Sequence, residues 1–466
     1  MEIRLFNTMG RKKEKFVPIK RGEVKLYSCG PTVYDFPHIG NLRAYVFVDL
    51  LKRVLEYNKL RVKHVMNITD VGHLTSDADT GEDKMEKGAR REGKTVWEIA
   101  EFYTKDFFDA MDKLNIEKPK TICKATDHIK EMIDMIKQIE KNGFAYKTSD
   151  GIYFDTFKLK DYGKLAGLYI EGLKEGARVE PNLEKRNPTD FALWKISPKD
   201  QKRQMEWNSP WNIGFPGWHI ECSAMSIKYL GEKFDIHTGG VDHVPVHHTN
   251  EIAQSQGALK KDVVNYWLHN EHVLVDNKKM SKSLQNFYTL HDIENKNFNP
   301  LAFRYLLLTS HYRSKFNFTW ESLEAAQKSL NTLREHMILL KSTDNKKTDK
   351  KRILEYKKKF LGFINDDLNI PYAVSLTWKL IREESKINNS DKHKIIMDFD
   401  KIFGLKLKDV KDVKSKIPKE AEKLINEREE ARKKRDWKKA DEIRKKLKEM
   451  NILIEDTESG VKWRLI

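Results

Sequence analysis

The sequence predicts an α/β protein: a parallel-sheet domain divided by an inserted segment, then a largely helical, basic C-terminal third. Three observations predict it. A strand, a loop, an apolar-periodic helix and a second strand follow one another over residues 24–69, the order of a βαβ unit. Sheet-like segments resume after residue 216, beyond a stretch of short strands and turns. After about residue 320, apolar residues recur at helical spacing almost without interruption.

Val24–Ser28 alternates as a strand should and runs into the turn Cys29-Gly30-Pro31. In the helix that follows, Val46, Leu50 and Val54 repeat every four residues, with Phe47, Leu51 and Leu55 beside them. Arg61–Thr69 reads as the next strand. Lys94–Leu114 and Asp127–Asn142 read as helices, the second stopped by Gly143. From Thr148 to about Pro210, short strands such as Gly151–Thr156 mix with turns and charged runs, the pattern of an inserted segment. The helical part of Pro216–Leu230 ends at Gly231, and Phe234–His237 is a short strand. Val246–Gln256 is a helix with Pro245 near its first turn, and His272–Asp276 a strand before a charged loop. Farther on, Asn345–Arg352 and Val410–Ile417 read as polar connections and Glu420–Met450 as two helices broken near Asp436. Ile452–Ile454 and Val461–Leu465 pair as a hairpin across Glu458-Ser459-Gly460.

The 466 residues suggest about three domains. Hydrophobic residues make up 39% of the chain and aromatics are spread along it, which excludes wholesale disorder. No stretch approaches the ~18 apolar residues of a membrane span, and Met1–Lys20 lacks the apolar core of a secretion signal. Three widely spaced cysteines, Cys29, Cys123 and Cys222, make no disulfide framework and fit a reduced, cytoplasmic setting. The net charge of +17 invites a polyanion, although charges of both signs also solvate long helices. The excess is uneven. From Glu321 onward there are 37 basic and 27 acidic residues, so a basic, partner-binding appendage on a more neutral body is expected.

Two short runs carry chemistry. His38-Ile39-Gly40-Asn41 lies between a strand and a helix, where free N–H groups and the positive end of the helix dipole suit phosphate. Gly40 permits close approach, and His38 and Asn41 can donate to phosphate oxygens. Lys279-Met280-Ser281-Lys282-Ser283 follows a strand, and its two lysines suit the charge that builds on a pyrophosphate leaving group. Taken singly, the first run can be an ordinary loop and the second a solvated basic loop. Together, an HIGH-type motif followed by KMSKS at the end of the same sheet resembles the class I aminoacyl-tRNA synthetases. Asn41 stands where the motif's name has a second histidine; it keeps a donor but cannot carry charge.

Cys29 sits at the C-terminal edge of the first strand and Cys222 in the first turn of a helix. His247 and Glu251 are four apart on one helix face. A parallel sheet can bring these places to one edge, where two thiolates, an imidazole and a carboxylate make a tetrahedral Zn²⁺ set. By spacing alone, Cys222 can equally be a small core residue and His247-His248 a solvated helix end. The run Cys29-Gly30-Pro31-Thr32-Val33-Tyr34-Asp35 resembles the cysteinyl-tRNA synthetase family. So do Pro216-Gly217-Trp218-His219-Ile220-Glu221-Cys222, Phe234-Asp235-Ile236-His237 and His247-His248-Thr249-Asn250-Glu251. The family string usually has Glu at the position of Thr249, which is not a ligand.

The resemblance implies a Rossmann-type catalytic domain over 1–120 and 211–275, with an inserted connective segment over 121–210. It further implies a KMSKS loop and stem-contact region over 276–325, an α-helical anticodon-binding bundle over 326–410 and a small basic α+β segment over 411–466. It implies one Zn²⁺ held by Cys29, Cys222, His247 and Glu251. Thr69 and Trp218 would line the cysteine pocket, with His237 beside it. His38, Gly40, Asn41, Lys279, Met280, Ser281, Lys282 and Ser283 would meet ATP, which arrives with Mg²⁺. The implied partners are L-cysteine, ATP and tRNA(Cys), the implied state a monomer off the membrane. A chain ending near residue 320 is then expected to make adenylate but lose most tRNA charging. Cys123 lies outside every matched motif and reads as structural; Asp70 and Asp242 read as capping or turn residues. In the tail, Trp437 with Ala440 and Ile443 at helical spacing reads as core, although the surrounding Arg432–Lys448 charges also allow stacking on a base. One rival is a cysteine ligase acting on a small amine, as in mycothiol synthesis, which needs no basic C-terminal third. A methionine-type enzyme usually carries CxxC knuckles, and no CxxC occurs here. An inactive RNA-binding regulator would have lost signature residues that are present.

Overall fold

The computed structural model describes residues 2–72, 83–167, 183–198, 203–281, 284, 286–342, 344, 347–383, 387–410, 419–450, 452–457 and 460–465. Lys282 and Ser283, the expected linker over 411–417 and the turn residues Glu458-Ser459 lie outside the described residues. The chain divides into two compact units, Met1–Lys408 and Asp409–Ile466.

The first unit is organised by a five-stranded sheet. Its strands run, in spatial order, Val264–Asn270, Phe234–Gly240, Glu23–Ser28, Arg61–Ile68 and Thr121–Lys124, and every neighbouring pair is parallel. Glu23–Ser28 buries Val24, Leu26 and Tyr27, and Arg61–Ile68 is buried almost throughout, as strands covered on both faces are. From Glu23–Ser28 the chain goes through helix Ile39–Tyr57 to Arg61–Ile68 on one side. From Phe234–Gly240 it goes through helix His247–Leu259 to Val264–Asn270 on the other. The two adjacent strands, in register with His237 opposite Tyr27, are therefore a switch point, and the crevice beyond their C-terminal ends is where ligands bind in such sheets.

Thr121–Lys124, which the sequence reading gave to the inserted segment, pairs in parallel with Arg61–Ile68. The separate inserted sheet is antiparallel and consists of Ala145–Lys147, Gly151–Phe154, Phe191–Ile196 and Gly214–Pro216. Sequence periodicity also passed over the hairpin Arg4–Asn7/Lys12–Lys15, whose second strand is Lys-rich. It covers the edge strand: Thr8 donates its N–H to Trp267 (2.8 Å), and Asn7 exchanges bonds with the backbone of Asn265 and Trp267.

The helices Trp320–Leu339, Lys350–Asn365, Ile370–Ile381 and Asn389–Phe403 share one apolar core with the sheet domain. At that junction Arg304, fully buried, donates to Asp49 (2.5 Å), to the Phe403 carbonyl (2.6 Å) and to the Leu114 carbonyl (2.9 Å). Burial alone would raise Asp49; Arg304 and Arg53 outweigh it and hold the carboxyl below its ordinary range. Ending the chain near residue 320 would strip Phe403 from Arg304 and open this core, so the natural cut for a truncation is Lys408.

The second unit contains helices Lys419–Lys433 and Trp437–Glu449 and the hairpin Ile452–Thr457/Gly460–Leu465. Asp436 caps the second helix by accepting the Lys439 N–H. Ala421, Ile443, Leu447, Ile452 and Ile454 form its core. Trp437 does not join it; the ring is 58% exposed, because it is the first residue of its helix, ahead of the packed stripe Ala440, Ile443 and Leu447.

Candidate active site

Gly30 opens the crevice. A Cβ there would fall 1.5 Å from the Asn67 carbonyl oxygen, so only glycine lets the chain leave the first strand this close to its neighbour. Asn67 fixes the turn by accepting the Gly30 N–H (2.8 Å), and its amide donates to Thr69 Oγ1 (3.0 Å), which donates to Glu221 (3.1 Å). Cys29 is thereby aimed across the switch point at Cys222, Sγ to Sγ 3.9 Å.

The third and fourth groups come from helix His247–Leu259, which is buried although its first turns are His-His-Thr-Asn-Glu. One ligand atom from each of Cys29, Cys222, His247 and Glu251 lies within 4.8 Å of every other. A second set, Cys29, His237, His248 and Glu251, meets the same condition, so His248 belongs to the cluster as well. His237 donates Nε2–H to Glu251 Oε2 (2.9 Å), leaving Oε1 to face His247 Nε2 at 3.1 Å. His247 Nδ1 meets His219 Nδ1 (2.9 Å), and His248 Nδ1 meets His269 Nε2 (2.7 Å), whose Nδ1 meets Thr8 Oγ1 (2.8 Å). The histidines are thus oriented by partners behind them, as metal-ligating histidines are. Trp218 packs its ring on His247, centroids 5.5 Å apart.

The electrostatics fit a cation. Burial pushes the Cys29 thiol up; the contact with Cys29 and burial push Cys222 up further. Burial alone would depress His247, but Cys222 and Glu251 hold its proton and lift it to about 10. Glu251, although buried, is pulled far below the usual carboxylate range by His237 and His247. Burial and the neighbouring His237 and His269 keep His248 neutral. A divalent cation bound here would displace protons from the thiols and the imidazole.

The second cluster adjoins helix Ile39–Tyr57. His38 caps it: Nδ1 accepts the N–H groups of Gly40 (3.0 Å) and Asn41 (3.1 Å), and Asn41 Oδ1 accepts the His38 N–H (3.1 Å). In this arrangement His38 Nδ1 and Asn41 Oδ1 act as acceptors. The KMSKS run begins on the last residue of the hairpin Val273–Val275/Lys278–Lys279. A Cβ on Gly40 would fall 3.1 Å from the Met280 methyl, so the two motifs touch. Ser281 N–H donates to Asn286 Oδ1 (2.8 Å), the Asn286 amide donates to the Lys279 carbonyl (3.2 Å), and Phe287 packs edge-on against His38. Lys279 is exposed.

The family model of the class I (C) tRNA synthetase catalytic domain matches residues 15–328, and that of the cysteinyl-tRNA ligase anticodon-binding domain matches residues 414–464. A cysteine–tRNA ligase of Burkholderia lata is 49% identical over 99% of this chain and 96% of its own length. The chain belongs to the cysteine–tRNA ligase family. A Treponema denticola cysteine–tRNA ligase is 48% identical over the full length of both chains. Beyond the family, a Mycobacterium tuberculosis methionyl-tRNA synthetase in complex with methionyl-adenylate shares the fold, with TM-score 0.55 and 12% identity over 82% of this chain and 90% of that one.

For this cysteine–tRNA ligase family member, the residues expected from sequence fall into two groups. Cys29, Cys222, His247 and Glu251 converge, with Thr69 reached through Asn67, Trp218 on His247 and His237 on Glu251. His38, Gly40, Asn41 and Met280 converge separately; Lys279 and Ser281 stand on the hairpin and its loop. Asn67, His219, His248 and His269 were missed. For His248 alone there was a faint signal, the density of histidines over residues 237–248; Asn67, His219 and His269 lie outside that run. Thr249 donates its hydroxyl to the Val244 carbonyl (2.7 Å), tying the helix to the turn before it. Asp70 accepts from Thr126, and Cys123 is buried in the core, both structural placements. No helix among the described residues is long and apolar enough to cross a membrane.

Proposed function

We propose that this chain joins L-cysteine to ATP, releasing pyrophosphate, and passes the cysteine from the adenylate to the 3′-terminal adenosine of tRNA(Cys). The observation that carries this reading is the meeting of two thiols, an imidazole and a carboxylate beside the paired ATP motifs. Cys29, Cys222, His247 and Glu251 hold one Zn²⁺, which when bound prefers the substrate's soft thiolate to the hydroxyl of serine. An apolar pocket alone distinguishes such near-isosteres by only ~1–3 kcal/mol. His237 holds Glu251 in its ligating orientation, Trp218 shields His247 from water, and Thr69, fixed between Asn67 and Glu221, lines the cysteine pocket.

His38 Nε2–H and Asn41 Nδ2, preset by the capping box, donate to phosphate oxygens of Mg²⁺-ATP, and Gly40 lets the nucleotide approach the helix. Lys279 and Lys282 meet the charge that develops on the departing pyrophosphate, and Met280, Ser281 and Ser283 complete the same ATP-binding run. The parallel sheet and its flanking helices form the catalytic body, the four-stranded antiparallel sheet is the inserted segment, and the helices after residue 320 meet the body of the tRNA. The second unit, matched by the anticodon-domain model, reads the anticodon, with Trp437 offering an exposed ring for stacking. The protein acts as a monomer in a reducing cytoplasm.

The rival acceptor, a small amine, is disfavoured by the anticodon-domain match over residues 414–464. The test is a charging assay of the full chain and of a chain ending at Lys408. Full-length protein should charge tRNA(Cys) and leave an amino-sugar acceptor unmodified; the shorter chain should keep cysteine-dependent ATP–pyrophosphate exchange and lose most charging. Cysteine transfer to the amino sugar, or equal charging by both chains, would overturn the reading.

A further inference from the structure

Arg43 is a buried cation held mainly by backbone carbonyls, with the Glu271 carboxylate near enough to favour its charge. Its side chain is on a residue only 4% exposed, one turn after Gly40 on the same face of helix Ile39–Tyr57. Nη1 donates to the carbonyls of Glu271 (2.8 Å) and His272 (2.7 Å); Nη2 donates to those of His311 (3.1 Å), Tyr312 (3.3 Å) and Ser314 (2.6 Å). Burial lowers the guanidinium to about 10, which still leaves it charged at neutral pH. A planar five-donor fork is suited to holding several carbonyls from two chain segments at once.

The position of those carbonyls is informative. Glu271 and His272 immediately precede the strand Val273–Val275, and Ser314 precedes its neighbour Phe316–Phe318. The same seam is stitched by Glu271 N–H to the Tyr312 carbonyl (2.9 Å) and Phe316 N–H to the His272 carbonyl (3.2 Å). Val273–Val275 then turns through Asp276 and Asn277, both at positive φ, into Lys278–Lys279 and Met280. Helix Ile39–Tyr57 therefore grips the open end of the lysine-bearing hairpin on both strands: ahead of the first through Arg43 and just past the second through the Gly40–Met280 contact. His38 and Asn41 lie on the first turn of that same helix.

We infer that Arg43 is a positioning residue for adenylate formation: it registers the root of the Lys279 hairpin to the helix whose first turn binds ATP. The inference rests on the function proposed above. It predicts that loosening the root displaces Lys279 from the leaving pyrophosphate while the metal cup, built on other elements, keeps its ligands. A misplacement of ~1 Å in such a group slows a reaction by up to ~10²-fold.

The test uses Arg43→Lys, which keeps the charge and three donors, and Arg43→Gln, each alone and combined with Lys279→Ala. Cysteine-dependent ATP–pyrophosphate exchange is measured per active site, with active sites counted from the adenylate burst. The expected result is a fall in kcat of ~10-fold to 100-fold for Arg43→Gln and a smaller one for Arg43→Lys, with bound metal and the KM for cysteine unchanged. In the double variants Arg43 should add less than ~2-fold to the Lys279→Ala loss, because it acts through that lysine. An unchanged per-site kcat would overturn the inference, and so would losses that multiply with Lys279→Ala. Failure of Arg43→Lys to fold would assign Arg43 to general stability and also overturn it. Absence of cysteine-dependent exchange in the unsubstituted protein would instead defeat the functional reading itself.

Discussion

The two clusters at the sheet edge are built in opposite ways. The metal cup draws Cys29, Cys222, His247 and Glu251 from a strand end and two helices; all but Cys29 are buried, and His237, His219 and Asn67 hold them from behind. The cluster proposed to face ATP is made of a helix cap and a hairpin with the loop after it, with Lys279 exposed on the second strand. The contrast suits the tasks proposed for them. Telling sulfur from oxygen needs ligands fixed within tenths of an ångström, whereas stabilising charge on a departing group needs a lysine that can meet it.

The comparison is broken most severely by Cys222→Ser. Metal and cysteine-dependent exchange should vanish together, with a loss on the order of 10³-fold or more. Metal analysis alongside the exchange assay checks it; exchange surviving in a metal-free variant would separate the cup from catalysis. Lys279→Ala should lower the exchange kcat by ~10²-fold to 10³-fold while leaving the metal content whole. Loss of metal in that variant would show that the two clusters are not independent.

A smaller effect sharpens the contrast from outside both clusters. His64, in the interior strand Arg61–Ile68, is buried with Nε2 on Ser28 Oγ (2.8 Å), and burial, aided by Lys52, lowers it to about 3. Unlike His247, it has no anionic neighbour strong enough to keep a proton. Its neutral form contributes stability that is full above the unfolded value near 6.5 and is lost as pH falls toward the folded value. His64→Gln should therefore remove ~2 kcal/mol of the decline in stability between pH 6.5 and 4.5. Urea midpoints at the two pH values measure it; parallel declines in both proteins would contradict it.

Much of the fold was legible because the periodicities are local. Val46, Leu50 and Val54 mark a helix without knowledge of what covers it, and Gly231 marks a helix end. The cup was legible only through family motifs, because Cys29 and Cys222 are joined by topology rather than spacing. Arg43 and His248 were not legible: a helix arginine and a second histidine look like solvated surface until the chain is folded around them. Trp437 erred the other way, since a helical stripe does not reveal where the partner helix stops. How far the helices after residue 320 share a core with the sheet domain was not legible either. A polar-apolar pattern shows that helices form, but not that Phe403 lends its carbonyl to Arg304 in the body of the protein.

The central claim is that a metal in the cup reads the substrate's sulfur, and cobalt substitution tests it directly. Co²⁺-loaded protein, titrated with L-cysteine, should gain intensity in its thiolate-to-metal charge-transfer absorption with saturation at one equivalent, while L-serine at the same concentrations leaves the spectrum unchanged. A spectrum indifferent to cysteine, or equally responsive to serine, would contradict the account.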